Sequence, residues 1–232
     1  MSTRPPENHA DHQESLEPSP GNALYIVGPS GLQNEAIASC LRRETGNECF
    51  LLEDINRIRQ QDLNDPGKRR LVLLDCQGKD PETILAELIP YLKGRGLGNH
   101  VVLFNVRRDL GIERRCILEG IDGFFYEQDP LDTFLKGVRA VFNGELWLTR
   151  EIMTKCIREG AHHFRVSKTG SAILTTRQTE ILALVVVGLT NDEIADRLCI
   201  SPHTVKPHLY KIFKKINVPN RMQAALWSAQ NL

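Results

Sequence analysis

Between Ala23 and Phe142 the chain alternates short apolar runs with amphipathic stretches. The apolar runs fall at Ala23–Val27, Cys49–Leu52, Leu71–Leu74, His100–Phe104 and Gly123–Tyr126. Runs this short and this continuous predict strands buried on both faces. Apolar positions at helical spacing predict helices near Leu32–Arg43, Ile55–Leu63, Pro81–Leu92, Arg108–Glu119 and Pro130–Phe142. Five strand–helix units with short connections predict an α/β, flavodoxin-like (βα)5 domain. Its expected strand order is 2-1-3-4-5, with right-handed crossovers and any site at the carboxyl ends of the strands.

The pattern changes after Leu174, where four short helices follow one another. Thr175-x-x-Gln178, Thr190-x-x-Glu193 and Asn220-x-x-Gln223 each place a side-chain acceptor at an N-cap and an acid or amide three residues on. Ser201-Pro202 is a further start, with proline at the first helical position. Gly188 sits where a helix-ending glycine belongs. Two helices joined by a tight turn, the second capped and basic, predict a helix-turn-helix whose second helix enters the DNA major groove. On that helix Val205, Leu209, Ile212, Phe213 and Ile216 share an inner face. His203, Thr204, Lys206, Tyr210, Lys211 and Lys214 fall outside it and are the candidate DNA contacts.

Charge sharpens this division. The chain carries 29 Lys/Arg and 29 Asp/Glu, yet from Lys168 onward there are eight basic and four acidic residues. The helical segment is therefore net basic and the rest net acidic, as expected if the helical segment meets phosphate. Residues 1–21 are polar, rich in Pro, Glu and Ser, and read as a disordered leader without signal-peptide features. No apolar run approaches the roughly 20 residues that cross a bilayer, so a cytoplasmic protein with no membrane partner is expected. The six cysteines show no CxxC spacing and read as reduced thiols, and His162-His163 is a poor chelate, so no metal is expected. Gly28-Pro29-Ser30-Gly31 lacks the GxGxxG and GK[ST] patterns of phosphate loops, and no nucleophile–base set is apparent. No catalytic residue is expected, and the chain is not read as an enzyme. The domain plan is 1–21 leader, 22–159 (βα)5 domain with an extra sixth helix, 160–173 linker and 174–232 helix-turn-helix.

Several segments resemble the LuxR-type helix-turn-helix: Leu174-Thr175-Thr176-Arg177, Gly188-Leu189-Thr190-Asn191, Glu193-Ile194-Ala195, Thr204-Val205-Lys206, His208-Leu209, Lys215-Ile216 and Asn220-Arg221. Pro207 departs from that family, which uses a residue with an amide donor there. A proline in a helix interior costs about 3 kcal/mol, so a kinked or loosened recognition helix is expected. The five-unit domain before it resembles a response-regulator receiver. The resemblance implies an acidic pair for Mg²⁺, a phospho-acceptor aspartate, a hydroxyl and a lysine. Only Asp75 is in place. Gly28, Pro29 and Ser30 stand where the acids belong, Asn105 replaces the hydroxyl residue, and Glu127 stands near the lysine position. Asp75 is therefore read as a vestigial phospho-acceptor.

Trp147-Leu148-Thr149-Arg150, at the start of the extra helix, resembles the W-[FLM]-[TS]-R motif of the VpsT-like branch of the CsgD subfamily. That resemblance implies control of biofilm matrix genes and binding of cyclic di-GMP. The residues suit such a ligand: Thr149 can hold a phosphate at a helix start, Arg150 can stack on guanine, Trp147 offers an N–H, and Leu148 anchors the turn. Two copies could sandwich the ligand, giving a nucleotide-driven homodimer or higher oligomer on promoter DNA, with RNA polymerase engaged indirectly. The bland alternative makes Trp147 core and Arg150 a surface charge, in a ligand-independent or phosphorylation-controlled regulator. Ile152, Met153, Cys156 and Ile157 form an apolar stripe with a mixed role, part core and part dimer surface.

Overall fold

The computed structural model describes residues 22–58, 69–94, 99–154, 174–218 and 220–231. Five parallel strands, β1 (Ala23–Val27), β2 (Glu48–Leu52), β3 (Arg70–Asp75), β4 (Asn99–Val106) and β5 (Gly123–Tyr126), form one sheet in the order β2-β1-β3-β4-β5. This is the expected flavodoxin-like order. The helices of this domain are α1 (Leu32–Thr45), α2 (Pro81–Gly94), α3 (Glu113–Glu119) and α4 (Leu131–Phe142). Alternate strand residues feed two cores, because successive side chains point to opposite faces. Leu71 and Leu73 pack with Ala38 and Leu41 of α1 and Val138 and Val141 of α4. Val72 and Leu74 pack with Ile84 and Leu88 of α2 and Cys116 and Ile117 of α3.

Two predicted helices differ. Arg108–Glu119 is not one helix: a 3-10 turn at Arg108–Leu110 ends at Gly111, which takes φ 62°, and α3 begins afresh at Glu113. A left-handed residue cannot continue a right-handed helix. At Ile55–Leu63 the described part is a 3-10 turn, Ile55–Arg57, capped by Asp54 Oδ1 from Asn56 N at 2.8 Å; residues 59–68 lie outside the described ones.

The C-terminal helices are α5 (Thr176–Val186), α6 (Asn191–Leu198), α7 (Pro202–Ile216) and α8 (Arg221–Asn231). Thr175–Gln178 and Thr190–Glu193 form complete capping boxes, and Ser201 Oγ accepts from Thr204 N at 3.2 Å. Gly188 follows α5 with φ 87°. At Asn220–Gln223 only half the box forms: Asn220 Oδ1 accepts from Gln223 N, while the Gln223 amide donates to Leu118 O at 2.9 Å, at the end of α3. The two domains are therefore in contact. Met222 and Leu226 of α8 join the core cluster on the α2–α3 face of the sheet. The other core of this region gathers Ile181, Leu182, Ile194, Val205, Leu209, Ile212 and Ile216.

Candidate functional site

The turn after α4 is built on the sheet edge. Trp147 forms a one-residue parallel bridge with Gly123: its N–H donates to Asp122 O at 2.9 Å and its carbonyl accepts from Phe124 N at 3.1 Å. Two glycines make room for it. A Cβ on Gly123 would lie 2.8 Å from Trp147 Cβ, and one on Gly137 would lie 2.7 Å from the indole and 2.3 Å from the Phe125 ring. The half-buried indole stacks on Phe125 with centroids 6.1 Å apart. Leu148, Ile152 and Met153 pack partly buried against the α2–α3 core; Cys156 and Ile157 lie outside the described residues, as do residues 1–21 and His162-His163.

Beyond Trp147 the chain turns outward. Thr149 and Arg150 are exposed, and residues 150–154 are helical. The Thr149 hydroxyl accepts from Ile152 N at 3.3 Å, which makes Thr149 the N-cap. A hollow of about 220 Å³ lies beside the turn, lined by Trp147, Leu148, Thr149, Arg108, Tyr126 and Asp129 among others. Arg108 and Tyr126 were not flagged by sequence reasoning; being basic and aromatic near a strand end is a signal too common to single them out. Burial and the neighbouring Glu113 carboxylate push the Tyr126 phenol well above its ordinary range, so it stays a neutral donor to Glu113 Oε1 at 3.3 Å. A larger cavity of about 320 Å³ lies at the domain junction, lined by Leu146 and Met153 on either side of the motif and by residues of α5 and α8.

The receiver-like pocket is filled by amides. Asp75 is 2% exposed. Its Oδ1 accepts from Asn105 Nδ2 at 2.9 Å and Gln77 N at 3.0 Å, and its Oδ2 from Asn34 Nδ2 at 3.1 Å. Asn105 reaches it from a left-handed backbone position, φ 54°, a conformation asparagine tolerates better than most residues. A Cβ on Gly28 would lie 2.5 Å from Asp75 Cβ. Mg²⁺ needs oxygen ligands, and what surrounds this carboxylate is N–H donors and glycine. The residues present do not fit the metal. Asn34 was missed in the sequence because it lies 41 positions from Asp75, with no local pattern joining them.

On the recognition helix α7, His203, Thr204, Lys211 and Lys214 are exposed and Tyr210 is half-buried. The Thr204 hydroxyl lies 2.8 Å from the Ser201 hydroxyl at the helix cap. Lys206, expected on the outer face, is half-buried instead: its Nζ donates to Asn143 Oδ1 at 3.0 Å, just before the Trp147 turn. The main chain of the same residue, Asn143 O, accepts from Asn191 Nδ2. The helix runs from Pro202 to Ile216 through an exposed Pro207. Among the described residues no group of three His, Cys, Asp or Glu could hold a metal ion, and no helix is long and apolar enough to cross a membrane. Cys49, Cys76 and Cys116 are buried free thiols; burial pushes Cys49 up to about 11 and Cys116 up to about 12, so they are unreactive at neutral pH.

Comparison with known proteins agrees with this architecture. Residues 172–228 match the family of bacterial regulatory proteins of the luxR type. The chain is 32% identical over 216 residues, 91% of its length and 95% of the relative's, to the CsgBAC operon transcriptional regulatory protein of Escherichia coli K12. It is 30% identical over 218 residues, 92% of its length and 96% of the relative's, to the probable csgAB operon transcriptional regulatory protein of Salmonella typhimurium. Among solved structures, the regulatory domain of the master biofilm regulator CsgD covers 59% of this chain and 98% of its own, at 22% identity and TM-score 0.47. A receiver-like sheet carrying a capped, basic helix-turn-helix, with 30–32% identity to two operon regulators over more than nine-tenths of the chain, makes this chain a transcriptional regulator of the LuxR family, in its CsgD-type branch.

Proposed function

We propose that this regulator responds to cyclic di-GMP, dimerises around it and binds promoter DNA, with biofilm matrix genes as its targets. The observation that carries the reading is the pairing of an outward-facing Thr149 and Arg150 beside a half-buried indole with a phospho-acceptor pocket closed by amides. Without acids for Mg²⁺, the receiver-like domain needs another input, and the Trp147 turn is a chemically suited one. An exposed guanidinium can stack on guanine, and an exposed hydroxyl can donate to phosphate. The positive charge of the guanidinium favours an anionic ligand there.

Size favours a shared site. Pockets that engulf a small ligand span about 300–1,000 Å³, and the hollow of about 220 Å³ is smaller. One copy then supplies half a site, and a two-fold symmetric dinucleotide is completed by a second copy. Ligand bound across the interface favours the dimer by its own binding free energy. Two helix-turn-helix units then meet two half-sites. Support for such targets comes from the relatives, which are named for the csgBAC and csgAB operons.

Sedimentation of the full chain with and without cyclic di-GMP tests this reading. The nucleotide is expected to shift wild type from monomer to dimer. Arg150→Ala is expected to stay folded and monomeric at the same concentration. An identical response from both proteins, or none from wild type, would remove the ligand from the account and leave a ligand-independent DNA-binding regulator.

A further inference from the structure

The hollow beside the Trp147 turn has a second wall. Arg108 opens the 3-10 turn after β4, and its guanidinium carbon lies 4.0 Å from the centroid of the Tyr126 ring. The Tyr126 ring is held from two sides, by its hydroxyl on Glu113 and by its backbone N–H on Asp129 Oδ2 at 2.8 Å. That second bond also fixes the Asp129 carboxylate. Its other oxygen sits 3.9 Å from Arg108 Nη2, too far for a hydrogen bond, and the Arg108 side chain is 63% exposed. Among the described residues no hydrogen bond takes up the Arg108 N–H fork. A flat cation is thus held on an aromatic floor in the wall of the hollow, with a pinned carboxylate beside it.

We propose that Arg108 and Asp129 make this hollow selective for guanine over adenine. Guanine offers two acceptors, O6 and N7, on one edge, and a planar guanidinium meets both at once. Its neighbouring edge carries N1–H and N2–H donors, which a carboxylate accepts. Adenine reverses the match: an amino donor replaces O6 and would face the fork, and an unprotonated N1 would face the carboxylate. Stacking on Tyr126 restricts the guanidinium's rotation, so little freedom is lost on binding. This inference rests on the Trp147 turn being a cyclic-dinucleotide site and adds which base that site reads. Arg108 acts here as a specificity determinant, separate from the Thr149–Arg150 pair.

Calorimetry on the full chain tests it, with cyclic di-GMP and cyclic di-AMP titrated into wild type, Arg108→Ala, Arg108→Lys and Arg150→Ala. Wild type is expected to prefer the guanine ligand. Arg108→Ala is expected to lose roughly ten- to a hundredfold in affinity for cyclic di-GMP, with little change for cyclic di-AMP. Arg108→Lys keeps the charge without the fork and is expected to lose most of the preference too. Because Arg108 is exposed, unchanged circular dichroism should accompany both variants. If Arg108→Ala retains the full guanine preference while Arg150→Ala abolishes binding, the base-reading role is overturned and the ligand site stands. If wild type binds neither dinucleotide, both are overturned.

Discussion

Asn34 and Asn105 each give one amide hydrogen to the Asp75 carboxylate, at 3.1 and 2.9 Å, and the backbone of Gln77 gives a third at 3.0 Å. In a working receiver those lone pairs would serve a metal ion and an incoming phosphoryl group. Here they are committed, and Gly28 lets the β1 end close over Asp75 so tightly that even a methyl group would collide. Phosphoryl transfer needs neutralised charge as well as a nucleophile. The expected outcome of incubation with a small phosphodonor and Mg²⁺ is therefore an unchanged intact mass, and stoichiometric gain of one phosphoryl group on Asp75 would show that the amides yield. The sequence already showed the missing acids. What it could not show was their replacement, because a hydrogen bond between residues 41 or 30 positions apart leaves no periodic trace.

Elements were more legible than contacts. Strand positions β1 and β5 match the apolar runs residue for residue, because strands covered on both faces must be apolar throughout. The Arg108–Glu119 stretch read as one helix because its apolar spacing tolerates the break at Gly111; only the backbone sign of that glycine divides it. The Trp147 bridge to β5 is a single residue long, below the length at which alternation becomes a pattern. Recognition helix α7 carries its own lesson. Pro207 sits within Pro202–Ile216 and leaves the His203 carbonyl without its i→i−4 partner, yet the helix spans both sides of it. Four buried residues, Val205, Leu209, Ile212 and Ile216, hold the helix down along one face, and tertiary packing overrides the local preference. Restoring the amide should release most of the cost: Pro207→Thr is expected to stabilise the protein by about 1–3 kcal/mol, seen as a higher urea midpoint with unchanged slope. An unmoved midpoint would mean that the helix has already adapted to the ring.

At the scale of the whole molecule, the segment from Asn143 to Arg150 joins all three working parts. Trp147 edges the sheet, Thr149 and Arg150 face solvent, and Asn143 holds Lys206 of the recognition helix. Glu145 lies at the same junction, where burial raises its carboxyl above the usual range and Arg221 partly offsets that. Further hydrogen bonds across this junction come from Asn191, Asn220 and Gln223. If Lys206 neutralises a DNA phosphate from the outer face of α7, its half-buried ammonium first has to turn away from Asn143, so this contact would compete with DNA binding. A hydrogen bond to a charged group is worth about 1.5 kcal/mol net at the low end of its range, which corresponds to roughly tenfold in an equilibrium constant. Asn143→Ala is therefore expected to raise the affinity of the nucleotide-free protein for promoter DNA by about that factor, measured by fluorescence anisotropy at fixed salt. Lys206→Ala should lower it and flatten its salt dependence, since one phosphate contact is lost. If Asn143→Ala leaves nucleotide-free affinity unchanged while Lys206→Ala weakens it, Lys206 reaches DNA without first leaving Asn143. The turn that carries the ligand motif would then act on DNA only by bringing two copies together.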